Sequence, residues 1–113
     1  MIDWDRVREL RDEIGAEDFA EVVLMFLQEA DEVVLRMRGG DRPRGGTGAA
    51  VVEDLHFLRG AALNLGFREL AELCHDGERR AKAGQPVDLT VVADHFTAVR
   101  AIFIAGLETD LAR

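Results

Sequence analysis

Cysteine, proline and tyrosine are scarce or missing in this chain, and each scarcity excludes something. Cys74 is the only cysteine among 113 residues, so no internal disulfide can form and a reducing compartment fits. The two prolines, Pro43 and Pro86, stand close to glycines and mark loops. No apolar run approaches the ~20 residues of a membrane span, and the acidic start lacks the features of a signal peptide. We therefore expect a cytoplasmic protein that has no membrane partner.

Positive charge is also in short supply. Lys82 is the only lysine, and the formal net charge is -8. Since proteins that bind nucleic acids usually present a basic face, this charge gives no support for a nucleic-acid partner. A length of 113 residues favours one domain. We assign residues 1–113 to a single helical domain and expect it to be a monomer.

Glycines and prolines divide the chain into five segments, and none of them alternates with the two-residue period of a strand. Apolar residues recur instead at three- and four-residue spacing, which is typical of amphipathic helices. The pattern predicts an all-α fold, an antiparallel four-helix bundle with an additional short N-terminal helix. The predicted helices run from about Trp4 to Ile14, Glu17 to Arg38, just after Thr47 to Leu65, Phe67 to Ala83, and just after Asp88 to the C-terminus.

Residues at the predicted helix ends support these boundaries. Asp3, Thr47 and Asp88 are suitable N-caps for the first, third and fifth helices, because their side chains can accept from free backbone N–H groups. Gly66 can end the third helix in the left-handed conformation. The glycine-rich segment from Gly39 to Gly48 is expected to be a flexible connection.

Three of the long helices have an apolar stripe that we assign to the core. In the second helix the stripe comprises Phe19, Val22, Val23, Phe26, Ala30, Val33, Val34 and Met37. In the third helix it comprises Val51, Leu55, Leu58, Ala62 and Leu65. In the fifth helix it comprises Leu89, Val92, Phe96, Val99, Phe103 and Leu107.

The third helix carries the residues that are most informative about function. At 100° per residue, His56 falls about 120° from the centre of the core stripe, on the outer flank of the helix. Arg59 lies one turn on, on the same side, and can neutralise phosphoryl oxygens. Gly60 adjoins His56, and its lack of a side chain allows another molecule to come close. An exposed imidazole is a nucleophile, so this combination indicates phosphoryl chemistry. A surface histidine with incidental neighbours is the alternative.

The segment from His56 to Gly66, HFLRGAALNLG, resembles the motif of the histidine-containing phosphotransfer (Hpt) domain, His-x-Leu-Lys/Arg-Gly followed by Asn-Leu-Gly. The resemblance extends over essentially the whole chain. It implies a protein in which His56 exchanges a phosphoryl group with the aspartate of a response-regulator receiver domain. A sensor histidine kinase, which could be of the hybrid type, would supply the phosphoryl group to this relay. It also implies a carrier rather than an enzyme, without its own ATPase. No cofactor is expected in this chain, since the Mg²⁺ that transfer needs would bind the receiver's carboxylates.

Two further residues resemble a subset of that family. The phosphotransfer domain of the chemotaxis kinase CheA has a His and a Glu networked to the phosphorylated histidine, and His75 and Glu78 stand at matching positions. The helical pattern supports this resemblance in part, since Glu78 falls on the apolar arc of the fourth helix, where its carboxylate needs a partner. His56 Nδ1 or Arg59 could be that partner. Gly77 departs from the family, which usually has a bulky apolar residue at that position.

Two alternatives come from other functional classes. The pairs Glu53/His56 and Glu72/His75 are Glu-x-x-His motifs, which di-iron bundles use as inward-facing ligands. Glu53, however, lies about 160° from the centre of the core stripe. The chain could also be a docking or inhibitory module that binds a receiver or kinase without using its histidine. His95 matches no motif, and we expect it to be a surface residue.

Overall fold

Five helices form the part of the chain that the structure describes, and they follow the predicted order. The structure is a computed structural model that describes residues 2–39 and 48–110. The described part has no strand, apart from one isolated antiparallel bridge between Ile2 and Phe67. The all-α prediction is therefore confirmed. The helices are α1 (Trp4–Ile14), α2 (Ala16–Arg38), α3 (Ala49–Leu65), α4 (Arg68–Lys82) and α5 (Leu89–Asp110).

Local interactions at the helix ends explain most of the boundaries. The Asp3 side chain accepts from the backbone N–H of Arg6 at the start of α1, and Asp88 caps the first turn of α5. Gly66 ends α3 in the left-handed conformation, with φ +77°. A side chain there would also meet the Asp3 carbonyl oxygen, 2.5 Å from an added Cβ. The α3–α4 turn therefore needs glycine on two counts.

The start of α3 differs from the prediction. Gly48 occupies the N-cap position and supplies no side-chain hydrogen bond. Thr47, the expected cap, lies outside the described residues, as does most of the predicted flexible connection from Gly39 to Gly48.

The core contains the whole predicted stripe of α3, and all five of its residues are buried. The stripe of α2 is partly wrong. Leu27 is buried but was not predicted, whereas Val22 and Phe26 are only half-buried. Apolar residues cover most of the circumference of α2, including the exposed Leu24 and Leu35, so its periodicity marks the buried face poorly. In α5, Leu107 at the end of the predicted stripe is half-buried.

One stretch of α5 is more apolar than the sequence analysis recognised. Leu89–Leu107 has a mean hydropathy of 1.4, and its length and composition alone would suit a membrane span. Its inner face nevertheless packs in the bundle core, where Phe96 and Phe103 are fully or almost fully buried. Phe103 also meets the ring of Phe67 edge to face.

The two charged residues of that stretch bind α2. Asp94 pairs with Arg38 at 2.8 Å, and Arg100 forms two 2.8 Å hydrogen bonds with the carboxylate of Asp31. The inner face of α5 and both charged residues therefore serve the bundle, although only a third of the stretch is buried. The absence of a membrane partner stays a prediction.

Candidate functional site

His56 lies on the outward face of α3, and 67% of its side chain is exposed. Leu55 and Leu58 of the same helix face the bundle and are buried in the core. The position follows from the helical period, since the core stripe fixes the rotation of α3 and leaves His56 on its outer flank. The imidazole is thus accessible to a second protein.

The carboxylate of Glu78 on α4 contacts that imidazole from the buried side. Its Oε1 lies 2.9 Å from His56 Nδ1, while the Glu78 side chain is only 4% exposed. An ionised carboxylate can only accept, so the proton of the neutral imidazole sits on Nδ1 and donates to Glu78. The other ring nitrogen, Nε2, then carries a lone pair. This is the tautomer that a nucleophilic Nε2 requires.

Arg59 supplies the positive charge that a buried carboxylate needs. Its Nε lies 3.1 Å from Glu78 Oε2, close enough for an ion pair. Among the described residues no donor is aligned for a hydrogen bond to that oxygen. Charge, rather than hydrogen-bond geometry, therefore links Arg59 to Glu78.

The same guanidinium also contacts both histidines. Arg59 Nη1 lies 2.8 Å from His75 Nδ1, and Nη2 lies 3.2 Å from His56 Nδ1. Because a guanidinium only donates, Nδ1 of neutral His75 must accept, which places its proton on Nε2. His56 Nδ1 cannot accept from Arg59 while it donates to Glu78. We assign the hydrogen bond to Glu78, since that contact is shorter and the acceptor is charged.

Gly60 lies one turn from His56 and leaves space open beside it. A Cβ built at Gly60 would have no heavy atom within 4 Å. No packing in the described structure therefore requires glycine at this position. The structure brings together His56 and Arg59 of α3 with His75 and Glu78 of α4 by direct contact, and Gly60 lies one turn from His56 on α3.

Comparison with known proteins identifies the family. The model of the Hpt domain matches residues 21–102, which is more than half of the chain. The chain belongs to the Hpt family. Comparisons with curated proteins and with solved structures gave no match. The matched range includes all five residues of the candidate site.

The thiol of Cys74 in this Hpt domain could also act as a nucleophile, but its surroundings keep it unreactive. It is fully buried on α4, next to the site. Burial raises the pKa of its thiol from 9.0 to about 12, the negative charge of Glu78 adds to the rise, and Arg59 opposes it. The thiol therefore stays protonated at neutral pH and is a poor nucleophile.

The geometry gives the metal-binding alternative no support. Glu53 and Glu72 are exposed, and neither contacts the histidine of its own motif in any described hydrogen bond or ion pair. Within residues 2–39 and 48–110, no three His, Cys, Asp or Glu side chains are grouped so that they could hold a metal ion. His56 and His75 are joined through Arg59 instead, and a cation at that point disfavours a metal.

His95 lies away from the site and is half-buried. It borders a shallow depression on the other side of α4, lined also by Glu69, Glu72, Leu73 and Asp76. Hydrogen bonds from Arg79 and then Arg80 hold Asp76 and lower the pKa of its exposed carboxyl. No contact links His95 to His56 in the described structure.

Sequence reasoning did not predict the contacts of two polar residues that support α3 of this Hpt domain. Asp54 is buried, and its Oδ1 accepts from Arg36 Nη2 of α2 at 3.0 Å. Asn64 donates to the Gly60 carbonyl oxygen and accepts from Arg6 of α1, at 3.1 Å each. The position of Asp54 beside the core stripe was the available signal for its burial. Nothing in the sequence pairs Asn64 with Arg6.

Proposed function

We propose that this chain is a phosphocarrier of a two-component phosphorelay, with His56 as the residue that is phosphorylated. Hpt domains interact with receiver domains and histidine kinases. The observation that carries the proposal is an exposed imidazole whose Nδ1 lies 2.9 Å from a buried carboxylate, because this pairing leaves Nε2 free to attack.

In the proposed step, the Nε2 lone pair attacks the phosphorus of a receiver's aspartyl phosphate. The Nε2–P bond forms, the P–O bond to the aspartate breaks, and the aspartate leaves as a carboxylate. The ring keeps its Nδ1 proton and becomes positively charged. Glu78, which already accepts from Nδ1, stabilises that charge. The Glu78 carboxylate therefore favours transfer from the receiver to His56, and it orients the ring when the phosphoryl group returns to a receiver.

Arg59 and Gly60 would serve the incoming phosphoryl group. A phosphoryl group brings about -1.5 to -2 charge at pH 7, and Arg59 is the cation nearest to His56 among the described contacts. His75 holds the guanidinium from the other side. Gly60 leaves room for the receiver, whose own acidic site would bind the Mg²⁺.

The test is a time course with a phosphorylated receiver. We expect the label to leave the receiver and to appear on this chain as an acid-labile, base-stable phosphoramidate, with Mg²⁺ required. No label should come from ATP without a kinase. A chain that binds the receiver but never accepts the label would be a docking or inhibitory module, and the proposal would be wrong.

A further inference from the structure

Gly77 lies on α4 where that helix packs against α3, and the structure gives a packing reason for the glycine. The residue is buried against α3. A Cβ added to it would lie 3.0 Å from Leu55 Cδ1, 3.5 Å from Leu55 Cδ2 and 3.3 Å from Val87 Cγ1. The two helices therefore approach each other more closely here than any larger residue allows without movement.

The surroundings of Gly77 leave little room for adjustment. Leu55 is fully buried and Val87 is almost so. Protein interiors are packed about as densely as organic crystals, so neither side chain can yield without disturbing its own neighbours. The alternative is that α4 moves away from α3.

Such a movement would act directly on the candidate site. Leu55 and Gly77 immediately precede His56 and Glu78 on their helices. The interhelical contact at Leu55 therefore fixes the spacing next to the 2.9 Å contact between His56 Nδ1 and Glu78 Oε1. A displacement of a few tenths of an ångström lengthens that hydrogen bond toward its limit.

We propose that Gly77 is a positioning residue: by allowing α4 to pack directly on Leu55, it sets the distance at which Glu78 holds the imidazole of His56. The inference rests on the proposed function only in assigning a reactive role to His56. The glycine itself touches neither the phosphoryl group nor the ring.

The test compares Gly77→Ala with Gly60→Ala, the same substitution in open space on α3. Both favour the helix intrinsically, since Ala is a better helix former than Gly. Gly60→Ala should raise Tm by about 4 °C, and Gly77→Ala should melt lower than Gly60→Ala. This first comparison measures the packing cost alone.

The decisive readout is the tautomer of His56, measured by ¹⁵N NMR on the unphosphorylated protein under alkaline conditions. The wild type should show the Nδ1–H tautomer, and Glu78→Ala gives the reference spectrum of a ring without its acceptor. Gly77→Ala should shift toward that reference. Transfer from a receiver should slow by about three- to tenfold, less than the ~100-fold that a 1 Å displacement can cost.

Leu55→Val removes the two terminal methyl groups of Leu55, one of which is the nearest atom to the new methyl group, and leaves the 3.3 Å contact with Val87 unchanged. In the double variant Leu55→Val/Gly77→Ala, we expect the wild-type tautomer to return. A Gly77→Ala protein that folds with the wild-type spectrum would overturn the proposal. If Gly77→Ala fails to fold, the double variant decides: the proposal is overturned if that variant is also unfolded or shows the altered tautomer. Failure of the wild type to accept phosphate would refute the proposed function but leave these spectra unaffected.

Discussion

Removing Arg59 should destabilise the fold mainly by leaving Glu78 without a counter-charge. Glu78 is 4% exposed and Arg59 is 28% exposed, with 3.1 Å between Oε2 and Nε. Breaking a buried ion pair by deleting one partner costs about 3–5 kcal/mol. Arg59 is partly solvated and Glu78 keeps His56 as a donor, so we expect about 2 kcal/mol for Arg59→Ala. At about 4 °C per kcal/mol, Tm falls by about 8 °C.

The double variant Arg59→Ala/Glu78→Gln separates this cause from simple loss of packing. A neutral amide has no charge to compensate, so the double variant should recover at least about 1 kcal/mol relative to Arg59→Ala alone. Arg79→Ala is the matched control, because Arg79 pairs with the exposed Asp76 on the same helix as Glu78. It should cost less than about 1 kcal/mol.

Chemical denaturation of the wild type, Arg59→Ala, Glu78→Gln and the double variant measures the coupling energy between Arg59 and Glu78 directly. The two substitutions should be non-additive by about 1–2 kcal/mol. Additive effects would refute the reasoning, because they would mean that Arg59 contributes nothing to the burial of Glu78.

Other substitutions test the remaining parts of the site. Arg59→Ala should slow phosphoryl transfer or shorten the phosphohistidine lifetime by about tenfold or more, since a charge-assisted hydrogen bond is worth about 1.5–3 kcal/mol. Arg59→Lys, which has one nitrogen for three partners, should lie between the wild type and Arg59→Ala. Unchanged rates in Arg59→Ala would show that Arg59 has no part in transfer. The free energy of unfolding of Gly60→Gln should lie within about 1 kcal/mol of that of Gly60→Ala, yet Gly60→Gln should lose phosphoryl transfer. If Gly60→Gln fails to fold, the space beside Gly60 is not open. Cys74 should resist alkylation at mildly alkaline pH until the protein unfolds. Since its pKa rises from 9.0 unfolded to about 12 folded, unfolding releases a proton between these pH values, and stability should fall as pH rises through them; rapid alkylation of the folded protein would contradict this burial.

The sequence predicted the elements that depend on local chemistry and on a clean helical period. The α3 stripe repeats with three- and four-residue spacing, so the rotation of that helix and the outward position of His56 followed from it. Asp3, Gly66 and Asp88 marked helix ends because each satisfies free backbone groups or adopts a conformation that other residues avoid. The inward direction of Glu78 on α4 followed in the same way.

What the sequence could not predict depends on distances between helices. Gly77 could be recognised as unusual, but its contact with Leu55 exists only once α3 and α4 are packed. The contacts of Arg59 with residues of both helices depend on side-chain rotamers as well as on that spacing. In α2, apolar residues on several faces concealed the fact that Leu27, and not Phe26, is buried.

The most direct test of the central claim is to locate the phosphoryl group. The wild type, His56→Gln and His75→Gln should each be incubated with the same phosphorylated receiver, and the label mapped under alkaline conditions. We predict label on His56 in the wild type and in His75→Gln, and none in His56→Gln, although that variant should keep the wild-type fold because residue 56 is exposed. Label on His75, or undiminished uptake by His56→Gln, would contradict the claim.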